Sequence, residues 1–191
     1  VAGPLNHPQL FRIPSTLQLL RQEDPNRQHS TMIVGEHPSE TRIVWDGPQD
    51  GVMILYNPWF SSMGRITLDG NSRALTAIRE GPFFSMVNEF FDLVIQDVGF
   101  GIEAGLIETG GIAQVTVSRC KFLRCTKAGI HMRNFNSLDW WIWDCLFQDN
   151  RIGVTNQFPG FPGAGNFFVY QSVFLNSTES DLYMAHAQFF S

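Results

Sequence analysis

No stretch of about eighteen apolar residues stands anywhere in this chain, so no membrane-spanning helix is expected. Charge is scarce as well. Asp, Glu, Lys and Arg make up 16% of the residues, the net charge is −5, and no Lys/Arg cluster occurs, which argues against a nucleic-acid partner. Cysteine is limited to Cys120, Cys125 and Cys145, an odd set without the spacing to His that a zinc site needs. Helical periodicity is missing too: apolar residues do not recur at three- and four-residue steps over about twelve positions, so helices should be few. From Val1 onward there is neither the basic start nor the apolar stretch of a signal peptide.

What the chain does have is apolar mass arranged in a repeat. It is 43% hydrophobic over 191 residues, with 17 Phe, enough for one sizeable core and a single domain over 1–191. Four similar segments begin at Asn88, Val115, Trp140 and Phe167, separated by 27, 25 and 27 residues. Ile95, Phe122, Phe147 and Phe174 form one apolar column across them, and Leu93, Cys120, Cys145 and Ser172 form another two positions earlier. A period that long is one turn of a solenoid, whose turns bury their apolar faces only against each other.

Within each copy the alternation is two-fold, as in a strand. Val115 and Val117 point one way, Thr116 and Ser118 the other. The phase slips by one residue at Arg119, Asp144 and Gln171, which places a bend or bulge at the same point of each turn. A corner of small side chains follows at Cys125, Asn150 and Ser177, then a short strand whose inward column is Ile102, Ile130, Val154 and Leu182. In the inward column Cys120 and Cys145 read as small hydrophobes rather than as a disulfide. An antiparallel sandwich is the competing architecture, but it gives no reason for identical residue classes at identical offsets. The expected fold is therefore all-β, a right-handed parallel β-helix, with 1–87 as irregular N-terminal turns and 88–191 as regular ones. The closing QFFS aligns with NFFV at Asn166, the opening strand of a turn, so the chain reads as a fragment of a longer solenoid. NQFPGFPGAGN, from Asn156, reads as a loop outside the period.

Three pieces together resemble the pectate-lyase-like superfamily of right-handed parallel β-helix proteins. LFRIPSTLQL looks like its strand-turn-strand opening, with Ser15-Thr16 where a Gly usually makes the turn; TMIVGEHPSETRIVWDG is similar to its I-x-G-x(5–7)-T-x-I segment; the repeats supply the third. The resemblance implies a secreted protein acting on a plant, algal or bacterial polysaccharide as a lyase or glycoside hydrolase, and leaves calcium as a possible cofactor. Neither the Asn-Thr-Asp, Asp-Asp and Gly-His-Gly set nor a calcium-binding cluster of aspartates is recognisable. A non-catalytic solenoid, binding carbohydrate or building a tailspike-like homo-oligomer, is the alternative.

Two constellations stand out. On the short strands GIEAG, GIHMR, GVTNQ and DLYMA, the outward positions are Glu103, His131, Thr155 and Tyr183, followed two residues on by Gly105, Arg133, Gln157 and Ala185. Strands about 4.8 Å apart make Glu103, His131 and Arg133 neighbours, a set able to share acid and base work and to hold a substrate carboxylate. Asp181 and Glu108 are the possible second carboxyls for hydrolysis. The plainer reading is a solvated sheet face. The second constellation is aromatic: Trp141, Trp143, Phe168 and Tyr170 alternate with inward Ile142 and Val169, beside Trp140, and should form an outward patch for sugar rings unless the 156–166 loop folds over it. His7, His29, His37 and His186 read as surface or packing residues, and Asp97, Arg124 and Asp149 as corner hydrogen bonders.

Overall fold

The computed structural model describes residues 9–19, 30–105, 110–133, 136–156 and 165–184, and the backbone of 189–190. Among the described residues every regular element is a strand. Three seven-stranded sheets wrap one core, and every pairing is parallel. The first sheet stacks Gln9–Ile13, Thr41–Trp45, Thr67–Asp69, Val94–Gln96, Lys121–Leu123, Leu146–Gln148 and Val173–Leu175. The second stacks Leu17–Leu19, Gly51–Tyr56, Ala74–Glu80, Phe100–Ala104, Ala128–Met132, Ile152–Thr155 and Ser180–Tyr183. The third stacks Met32–Val34, Ser61–Gly64, Ser85–Phe91, Ile112–Ser118, Trp140–Trp143, Phe167–Tyr170 and Phe189–Phe190. Each strand pairs with the one a full turn later, which defines a parallel β-solenoid and excludes the sandwich. All three sheets run through both the irregular and the regular halves.

The phase slip has a conformational cause. Arg65, Asp92, Arg119, Asp144 and Gln171 all have φ between 49° and 59°, so the chain turns through one left-handed residue between the third sheet and the first. A second such column, Asp97, Arg124, Asp149 and Asn176 at φ 55–56°, turns the first sheet into the second, one residue before the small-residue corner. The left-handed conformation costs an L-residue about 1–2 kcal/mol. Bonds between turns offset this: Arg124 Nε and Nη2 grip Asp97 at 2.7 and 2.8 Å, and Asn176 donates to Asp149 at 2.9 Å. Next to them buried Asn150 accepts from Cys125 N–H at 2.8 Å and donates to the Phe122 carbonyl at 2.9 Å.

Inside, side-chain columns run along the solenoid axis. Phe122 and Phe147 stack at 4.8 Å and 4°, and Phe147 and Phe174 at 4.7 Å and 6°, with Ile95 below and only Phe174 partly exposed. Gly101, Gly129 and Gly153 make room for this ladder. A Cβ on Gly129 would stand 2.7 Å from the Gly153 carbonyl oxygen and 2.8 Å from the Phe147 ring. Ile54, Ile78, Ile102, Ile130 and Val154 form the buried column of the second sheet. Trp140 belongs to the core, its Nε1–H donating to the Ile112 carbonyl at 3.1 Å. All three cysteines are free and buried, and burial pushes the Cys120 and Cys125 thiols up.

Candidate functional site

Strands Phe100–Ala104 and Ala128–Met132 pair with Glu103 opposite His131, and Ala74–Glu80 brings Arg79 opposite Glu103 from the other side. Arg133 follows the second of these strands directly. The sheet therefore assembles Glu103, His131 and Arg133 on one face, as the register of the repeats predicts. Its setting differs from the expected solvated face: Glu103 and His131 are only 2% and 4% exposed. Glu103 Oε2 accepts from Arg79 Nε and Thr76 Oγ1, each at 2.9 Å, while Oε1 accepts from Arg133 Nη1 at 3.2 Å and stands 3.9 Å from His131 Nδ1. A buried carboxylate is held only with such partners. Phe100 closes the other side of the imidazole, its ring stacked on that of His131 at 5.0 Å and 21°.

Two guanidiniums, those of Arg79 and Arg133, face the Glu103 carboxylate. Arg79 and Arg133 keep about a fifth of their side chains in solvent. Burial lowers the Arg133 pKa against the attraction of Glu103, and Arg79 lowers it further. Glu103 has its acceptor sites taken, which suits it to position the arginines rather than to take a proton from a polymer outside. Asp181 is exposed and lies three strands beyond Glu103, about 14 Å away at ~4.8 Å per strand, too far to serve as the second carboxyl of a glycosidase. Glu108, Gln157 and Ala185 lie outside the described residues, as do His7, His29 and His186. Sequence reasoning missed Arg79 and Thr76; carrying the column of Glu103 one turn back to the strand reading ALTAIRE finds Arg79.

The aromatic constellation is on the outer face of the third sheet. Trp141 pairs with Phe168 and Trp143 with Tyr170, their rings 5.7 Å apart at 13° and 4.8 Å apart at 31°. Trp143 is 40% exposed and the other three are half-buried. Thr116 and Ser118 lie one strand before them in register; Thr116 is partly exposed and adds a hydroxyl beside the apolar surface, while the Ser118 hydroxyl is buried. Residues 157–164, the centre of the loop expected to compete for this patch, lie outside the described residues. Trp140 takes no part, being inside.

Among the described residues no group of three or more His, Cys, Asp or Glu is set to hold a metal ion, so the acidic side chains there do not fit a calcium site. No protein-family model and no curated protein matches this chain. What sequence and structure share is the parallel β-solenoid.

Proposed function

We propose that this chain is an extracellular polysaccharide-active β-solenoid that holds its substrate along the outer face of the third sheet. One observation carries the reading: Trp141, Trp143, Phe168 and Tyr170 present a row of partly exposed stacked rings, two turns high, bordered by the hydroxyl of Thr116. Aromatic rings give sugar rings apolar contact, and Thr116 supplies a hydroxyl for hydrogen bonding. Resemblance to the pectate-lyase-like superfamily supports the same reading, and with it a secreted location; fold alone does not fix the reaction.

A panel of neutral and uronic-acid polysaccharides in affinity electrophoresis tests it. Retardation by at least one polymer, lost in Trp141→Ala and Trp143→Ala, is the expected result. Lack of retardation across the panel overturns the reading, and self-association abolished by Trp143→Ala would reassign the patch to a homo-oligomer interface.

The catalytic form of the reading is supported by the two partly exposed arginines, Arg79 and Arg133, gathered with His131 around Glu103. In a lyase, Arg79 and Arg133 would neutralise a substrate carboxylate while His131 takes the proton on the carbon beside it; the glycosidic C–O bond one carbon further breaks, its oxygen leaves as a hydroxyl protonated from solvent, and an unsaturated sugar remains. In a hydrolase, reducing ends would appear without unsaturation. Absorbance of unsaturated products and reducing-sugar release separate these from a pure binder, and loss of turnover without loss of retardation in Arg133→Ala marks the catalytic forms.

A further inference from the structure

At the corner between the third and first sheets lies a groove of about 390 Å³ that none of the preceding sites uses. Its rim is formed by His37, Arg65, Arg119 and Lys121, with Asp92 the one acid, and Pro38 and Val94 supply apolar wall. Arg65, Asp92 and Arg119 occupy successive turns of one left-handed column, at φ 59°, 49° and 53°. Arg119 turns back onto Asp92 and takes both carboxylate oxygens, at 2.8 and 3.3 Å. Asp92 is thereby committed. Arg65 and Lys121 are exposed and have no acid partner within ion-pair distance among the described residues. His37 stands at the rim with its Nδ1 2.8 Å from Ser39 Oγ and 3.2 Å from Ser39 N. A chain of net charge −5 thus places three cations against one acid around a single concavity.

We infer that this groove binds a sugar-sized organic anion, its carboxylate, sulfate or phosphate group held by Arg65 and Lys121 and its ring lying on the Pro38 and Val94 wall. The volume is within the roughly 300–1,000 Å³ usual for small-molecule pockets and exceeds what a bare oxyanion fills. Arginine suits the oxyanion because its planar donors match two oxygens at once, and lysine adds a point charge. The inference does not rest on the aromatic face, none of whose residues lines the groove.

Calorimetric titration of the full chain at low salt tests it, with glucuronate, glucose 6-sulfate, glucose 6-phosphate, inorganic phosphate and neutral glucose as probes. At least one sugar anion should bind saturably, weakening as salt rises, while glucose does not bind. The double variant R65Q/K121Q, altered only at exposed side chains, should lose on the order of 25-fold, about fivefold per cation. Asp92→Asn, which releases Arg119 and suits a left-handed position, should bind about fivefold more tightly. That gain cannot come from misfolding. Equal binding of glucose, an unchanged affinity in R65Q/K121Q, or no gain in folded Asp92→Asn would overturn the inference; inorganic phosphate binding as tightly as every sugar anion would overturn the assignment of a sugar-sized ligand. Retention of polysaccharide retardation in R65Q/K121Q, and its loss in Trp143→Ala, keeps failure here distinct from failure of the aromatic site.

Discussion

Arg79 holds Glu103 from the turn before it, Nε to Oε2 at 2.9 Å, and closes a buried network that also contains Thr76, Arg133 and His131. Removing the carboxylate leaves two guanidiniums facing each other in a half-buried site. Glu103→Gln should therefore destabilise the fold by about 2 kcal/mol, below the roughly 3–5 kcal/mol of a fully buried broken pair because both arginines keep contact with water. Chemical denaturation of the two proteins checks this; equal midpoints would mean that the network contributes nothing net.

Phe147 sits between Phe122 and Phe174 with both rings nearly parallel to its own. Phe147→Ala should cost about 3–5 kcal/mol, as for other large core truncations. Because solenoid turns interact only with neighbours, the loss is expected to include early fraying of the turns after 147, seen as fast amide exchange there at modest denaturant. Uniform protection after the substitution would contradict the ladder.

Gly129→Ala should destabilise by about 1–3 kcal/mol through overpacking, since the new methyl meets a carbonyl and the Phe147 ring below 3 Å. A thermal midpoint equal to that of the parent would show that the second sheet can move away at no cost.

Glu80 gives a pH dependence of known sign. It is buried beside Tyr56 and Phe90, its oxygens accept from Gly105 N–H and Gly111 N–H, and desolvation raises its pKa from 4.5 to about 7 against those two bonds. The folded-state value lies above the unfolded one, so the associated stability is full below about pH 4.5 and is lost as pH rises through about 7. Between those limits the change amounts to about 3 kcal/mol. Urea denaturation from pH 4.5 to 8 should show this decline superposed on the other titrations, and Glu80→Gln should flatten it. An unchanged profile in Glu80→Gln would refute the assignment.

The solenoid was legible because its stacking requirement writes the same residue classes at the same offsets: the Phe122, Phe147 and Phe174 column and the slip at Arg119 each have a direct structural counterpart. Adjacency of Glu103 and His131 followed from the same register. Their burial did not. Arg79 bonds Glu103 and Phe100 stacks on His131 across strands, and outward alternation alone says nothing of what lies over an outward residue. Trp140, expected to flank the outward patch, is inward and fully buried, sharing the phase of Ile142 rather than that of Trp141 and Trp143. The Arg65 and Lys121 groove was invisible because which of the corner's cations finds the acid Asp92 is set by rotamers around the corner, not by spacing.

The most direct test of polysaccharide binding by the aromatic face is acrylamide quenching of tryptophan fluorescence in a Trp59→Phe background. Trp45 and Trp140 are buried there, so Trp141 and Trp143 dominate the quenchable signal. Addition of the polysaccharide that retards the protein should shield that signal, saturating at the concentration that saturates retardation. Retardation with unchanged quenching would place the polymer elsewhere on the solenoid and contradict the account.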